Sequence, residues 1–220
     1  MTVRSRVRPS RARQRQLVRA MEFGLLGVLL VGLWRRNLGI VVNAAVGLAV
    51  TQLPAVLERD YQLTLGPGLT LWITAAVFLH AVGTVPLPGV DASAYQSLWW
   101  YDHVTHTLSS SVVAAAGYAA ARAVDEYSVD VHLTSGFLFA YLLLFVMAFG
   151  VVWELVEFFT GLAAASLGVP RILTQYGLGD TMLDLVFDAA GALVVAAAGT
   201  AVLSGVAEQL AGLLEARSDD

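Results

Sequence analysis

At 220 residues, with 57% hydrophobic and only 14% charged side chains, the chain carries about half of the charge of a water-soluble domain, which is roughly 25%. One core of that size cannot cover so much apolar surface with so few polar groups, which excludes an ordinary soluble globule, a coiled coil and a disordered chain and places the polypeptide in a bilayer. The absence of cysteine excludes disulfides and thiolate sites, and the net charge of −4 conceals an asymmetry: all thirteen basic residues are arginine, and seven lie in the first nineteen positions.

A helix that crosses the hydrocarbon core needs about 20 apolar residues. The basic leader, residues 1–19, precedes a short uncharged run at 23–34, which Arg19 and Glu22 extend by snorkelling and Arg35-Arg36-Asn37 ends. A secretory signal also begins with a basic leader, but no small-residue cleavage site follows this run, so it reads as a first membrane helix. Five longer runs follow at 38–57, 69–85, 103–121, 131–153 and 189–207. This predicts an all-α polytopic membrane protein, a bundle of six transmembrane helices over 20–207, with an acidic tail at 208–220. Turn signals separate the spans at Gly66-Pro67-Gly68, Pro86-Leu87-Pro88-Gly89 and 177–179, and a nineteen-residue connection at 161–179 reads as a partly re-entrant lid.

Six crossings put both termini on one side. With the N-terminus inside, the leader arginines together with Arg59, Arg122 and Arg217 make ten inside, against Arg35, Arg36 and Arg171 outside. That obeys the positive-inside bias and predicts cytoplasmic termini in the plasma membrane. The leader then acts as a topology determinant; the lipid bilayer is the expected partner and no nucleic acid is expected.

The informative residues are ionisable groups where charge is expensive. Asp102, His103 and His106 open the fourth span, Glu154 and Glu157 close the fifth, and Asp180, Asp184 and Asp188 open the sixth. Because helices alternate direction, all of these fall on one side of the membrane, with His80, Asn43, Arg35 and Arg36. Asp102 and His106 are four apart, as are Asp180, Asp184 and Asp188, so each set shares a helix face. Clustered carboxylates in a low dielectric either take up protons or hold a cation. Oxygen and imidazole donors suit zinc, manganese or iron, so Asp102, His106, Glu154, Asp184 and Asp188 are candidate ligands of a divalent metal. Bland readings stand beside some of these: His103 can point at headgroups, Asp180 after Gly179 resembles an N-cap, and His80 alone on an apolar helix reads as a satisfied packing group.

The stretches at 153–158 and 179–192 resemble the YjdF-like family of small polytopic inner-membrane proteins. The pattern is more remotely similar to VanZ-like proteins, with their Asp-Lys-x-x-His helix start, Glu-x-x-Gln pair and Asp-x-x-x-Asn-x-x-Gly ending. Asp102 and His106 match the first with His103 in place of lysine, Glu154 matches the second with Glu157 in place of glutamine, and Asp184 and Gly191 match the third with Asp188 in place of asparagine. The resemblance covers the chain from Trp99 onward and implies a shared ligand-binding arrangement.

The leading expectation is a metal-dependent site acting on a lipid-linked or amphipathic substrate at the outer leaflet, as a hydrolase or transferase would. Glu157 or Asp180 is then the general base, and Arg35, Arg36 or Arg171 hold a phosphate. An ion- or proton-coupled transporter is one alternative, and a non-enzymatic membrane component with a structural polar cluster is another.

Overall fold

A computed structural model describes residues 9–173 and 175–218. Among these residues the chain is helical, with no strand and only an isolated bridge between Pro86 and Ser93. In chain order the helices are α1 (Arg11–Arg35), α2 (Leu38–Thr51), α3 (Leu53–Tyr61), α4 (Pro67–Gly83), α5 (Ala94–Ser97), α6 (Tyr101–Tyr127), α7 (Ser135–Leu167) and α8 (Leu178–Ser218).

Local chemistry sets the boundaries. The Ser10 hydroxyl accepts from the Arg13 amide to cap α1, and Arg36, in the left-handed region at φ 54°, ends it. One residue later the Asn37 side chain caps α2 through the Ile40 amide, so Arg35-Arg36-Asn37 forms a tight helical hairpin. Pro54 in the first turn of α3 separates it from α2, and Pro67 opens α4. Gly168, at φ 65°, closes α7.

Four helices are long and apolar enough to cross a membrane: α1, α2 continued by α3, α7 and α8. At 17 residues α4 is shorter, and α6 has the length at 27 residues but carries Asp102, His106 and the hydroxyl run Ser109-Ser110-Ser111. The structure corrects two expectations. The connection expected at 161–179 is only 168–177, because the alanine-rich stretch after Gly161 continues α7. Asp180 is not the N-cap but lies in the first turn of α8, where it accepts from the Tyr176 amide at 2.9 Å.

The helices pack as two groups of three, each with its own core. Leu25, Val28, Ile40, Ala44 and Ala81 join α1, α2 and α4. Ala114, Tyr118, Leu142, Val146, Ala192, Val195 and Leu203 join α6, α7 and α8. Among helix pairs the groups meet along one seam, α4 against α6, and the Asn43–Ile172 and Thr64–Gln209 hydrogen bonds link them elsewhere. At the seam Leu69 and Trp72 pack on the second core, the Trp72 indole donates to Ser111 Oγ at 3.0 Å, and the Tyr101 hydroxyl donates to the Leu79 carbonyl at 2.7 Å. No comparable packing joins α2 to α7, and a cleft remains between them.

Close approach of α6 to α8 needs Gly191, where a Cβ would meet Ser110 Oγ and the backbone of Thr107 and Ser111. Gly191→Ala is therefore expected to destabilise the protein by about 1 to 3 kcal/mol, as overpacking does. Gly205→Ala on the same helix, with nothing within 4 Å of its Cβ, is expected to hold or raise stability by about 0.5 to 1 kcal/mol. Thermal unfolding of detergent-purified protein reads both signs.

Candidate metal centre and its cavities

Three helix segments carry the polar cluster: the first turns of α6, the second half of α7 and the first turns of α8. At 1.5 Å per residue α7 is about 50 Å long, well beyond a hydrocarbon core of about 30 Å, and Glu154 and Glu157 lie in its second half.

His106 is the hub. Its Nδ1 lies 3.2 Å from Asp188 Oδ1, and since a carboxylate only accepts, Nδ1 carries the proton. In the neutral ring Nε2 then holds the lone pair. That nitrogen faces Asp102 Oδ1 at 3.5 Å and Asp184 Oδ1 at 3.8 Å. Ligand atoms about 2.1 Å from a tetrahedral zinc lie about 3.4 Å from one another, so the spacing fits a shared cation. Asp102, His106 and Asp184 offer one ligand atom each, all within 4.8 Å of one another. Asp184 is 1% exposed, and its Oδ1 has no hydrogen-bond partner.

The remaining candidates divide by position. Asp188 lies behind the imidazole, on the nitrogen opposite the triangle, and Gly150 of α7 makes room for its carboxylate, since a Cβ there would meet Asp188 Oδ2. Glu154, also buried, directs Oε2 to Thr181 Oγ1 at 2.7 Å and Gln175 Nε2 at 3.4 Å, and its Oε1 has no partner. Glu157 accepts from the Trp153 indole at 3.1 Å. Asp180 is engaged with the Tyr176 backbone. Arg171 lines the cavity beside the site, whereas Arg35 and Arg36 are exposed on the first hairpin and do not line it. His103 stacks on Phe187 with ring centroids 4.2 Å apart, away from the triangle.

A second polar chain borders the site. Asn43 Nδ2 donates to the carbonyls of Gly39 at 2.8 Å and Ile172 at 3.0 Å, which leaves Oδ1 as the acceptor for His80 Nε2 at 3.0 Å. His80 Nδ1 therefore accepts from the Tyr95 hydroxyl at 2.9 Å, and both ring nitrogens are satisfied. Burial pushes the Tyr95 phenol far above its ordinary range, which keeps it a neutral donor. Burial, with the Asp102, Asp180 and Glu157 carboxylates, also raises the Tyr176 phenol. The inward turn of Tyr95, the Ile172 tie and the Gln175–Thr181–Glu154 link are not legible in the sequence, since no spacing points to a backbone carbonyl.

Two cavities meet here. A polar one of about 260 Å³ is lined by Asp102, His106, Glu157, Tyr95, Arg171 and Tyr176 among others. An apolar one of about 580 Å³ runs from His106 between α2, α4, α6 and α7, past Val42, Val46, Val77, Val113, Val146 and Phe149. Asn43, His80, His106, Ile172 and Leu173 line both.

No solved structure matches the chain. It is 30% identical over 143 residues to an uncharacterized protein of Thermotoga maritima, a match that covers 65% of this chain and 67% of that one. Residues 17–205 match a family described as "Predicted membrane protein (DUF2238)", a span that includes the Asp102, His106 and Asp184 triangle and both cores. The chain thus belongs to the DUF2238 family of membrane proteins.

Proposed function

We propose that the protein crosses the plasma membrane six times with both termini cytoplasmic, holds a divalent cation between Asp102, His106 and Asp184 near the outer lipid boundary, and acts there on a lipid-linked or amphipathic substrate. The observation that carries the reading is Asp184 Oδ1, a buried acceptor with no hydrogen bond, 3.8 Å from an imidazole nitrogen whose ring partner is already engaged. A buried aspartate without a counter-charge is costly, and a cation shared with Asp102 and His106 compensates that charge.

The donor set of two carboxylates and one imidazole suits zinc, manganese or iron. Such an ion supplies Lewis-acid chemistry, polarising a phosphoryl or carbonyl oxygen and acidifying a bound water. The side chains do the rest. Asp188 holds His106 in the tautomer that presents Nε2. Glu157, which lines the polar cavity with Asp102 and His106, accepts the proton; Asp180, tied to the Tyr176 amide, is placed less well for it. Arg171 is the guanidinium beside the cavity that can hold an anionic head. The likeness of residues 153–158 and 179–192 to YjdF-like proteins supports a common site, since those stretches supply Glu154, Glu157, Asp184 and Asp188. A carrier would continue the polar path across the membrane, and beyond His106 the cavity wall carries hydroxyls of Ser109 and Ser110 but mainly apolar surface, with valines at 46, 77, 113 and 146.

Elemental analysis of detergent-purified protein tests the centre. Wild type is expected to retain about one equivalent of zinc or manganese, and Asp184→Asn to lose it. Asp188→Asn, which changes only the group behind the imidazole, is expected to weaken affinity about 10- to 100-fold without abolishing it. No stoichiometric metal in wild type, even after zinc or manganese is supplied, sinks the reading.

Orientation is tested separately, because the chain has no native cysteine to remove. Val90→Cys and Val129→Cys place single thiols at exposed positions in the loops before α6 and after it. An impermeant maleimide added to intact cells is expected to label the first and spare the second; the reverse pattern inverts the topology.

A further inference from the structure

The cleft between the two helix groups is continuous with the candidate metal centre but chemically unlike it. The first cavity is lined by acids, tyrosines and Arg171 among others, whereas the one beyond it exposes mainly apolar surface, with five valines and Phe149 on its wall beside Ser109, Ser110 and Asp188. His106 lines both, and its Nε2 faces the Asp102 and Asp184 carboxylates. The apolar cavity lies between α2 and α7, where Val46 is 56% and Phe149 is 52% exposed, so its wall opens sideways, toward the lipid, between two helices that are not packed together.

We propose that this apolar cavity seats the hydrocarbon tail of a single-chain amphiphile, whose oxygen-bearing head, a phosphate or a carboxylate, lies in the polar cavity against the cation site and Arg171. The inference rests on the cation-site reading for the head and deepens it for the substrate class. The junction of head and tail falls at His106, the residue common to both cavities and to the ligand triangle. A volume of about 580 Å³ is that of a site for one compact ligand and gives room for one chain rather than the pair of a phospholipid. Lateral opening lets such a molecule enter from the leaflet without its tail passing through water.

The test uses the full chain in detergent with manganese and counts bound dodecyl phosphate by native mass spectrometry, alongside dodecanoate, a two-chain phosphatidic acid and inorganic phosphate. Val113→Phe fills the interior of the cavity, and Val46→Phe narrows its half-exposed mouth, where folding tolerates the change. Both are expected to weaken dodecyl phosphate about tenfold, as the loss of roughly two buried methylenes would, and to leave inorganic phosphate and manganese unchanged. Dodecanoate bound as well as dodecyl phosphate makes the head a carboxylate or a phosphate alike; dodecanoate left unbound makes it a phosphate. Unchanged dodecyl phosphate binding in both variants overturns the proposal, as does phosphatidic acid binding as tightly as the single-chain probe. A change in oligomeric state in Val46→Phe with unchanged binding also overturns it, making the cleft mouth a contact between copies. Manganese missing from wild type while chain binding still depends on Val46 defeats the cation reading and leaves the tail site standing; manganese present with no chain bound does the reverse.

Discussion

A carboxylate held out of water must be answered by positive charge or by hydrogen-bond donors, and this constraint organises the molecule. Asp188 is answered by His106, Glu154 by Thr181 and Gln175, and Glu157 by Trp153. Asp184 Oδ1 is not answered, nor is the second oxygen of Glu154. The local sequence serves this arrangement: Gly150 admits the Asp188 carboxylate, Gly191 lets α6 and α8 approach, and the four-residue spacings align the acids with the imidazole. Every helix of the second group contributes, so the cluster is a product of tertiary packing and not of one motif.

The cavities have a different origin. Two three-helix groups, each closed around its own small core, touch along α4 and α6 and are tied there by Trp72 and Tyr101. One seam cannot also close the far side, so α2 and α7 stand apart. Placing the acids at one end of that gap makes a polar chamber beside them and a more apolar one beyond, with His106 and His80 at their junction. His80 keeps both nitrogens occupied and belongs to the wall, while His106 presents a free one to the triangle.

Much of this was legible in the sequence, and the physics of each reading explains where it stopped. Periodicity places Asp102 with His106, and Asp184 with Asp188, on common faces, because four residues are close to one turn. It says nothing of depth along the face, and so Asp188 read as an equal of Asp184 although it stands behind the ring. Helix alternation in the sequence puts Arg35 and Arg36 on the side of the acids, but the hairpin that Arg36 terminates in a left-handed conformation leaves both exposed. Hydropathy found α6 by its lack of formal charge from 103 to 121, yet its serines and histidines lower its apolar character below that of the other long helices. Gly161 looked like a stop and is not one, since the helix-forming alanines after it carry α7 on to Gly168.

The grip of Asn43 on the main-chain oxygen of Ile172 spans from the first helix group to the connection between α7 and α8. Because it reads backbone and not side chain, the identity of residue 172 is free to drift while the fastening persists. Residue 43 has no such freedom, since its amide serves two carbonyls and the His80 ring at once. The cavity wall at residue 172 can thus change by ordinary point substitution, without the two halves of the molecule having to reinvent how they hold on to each other.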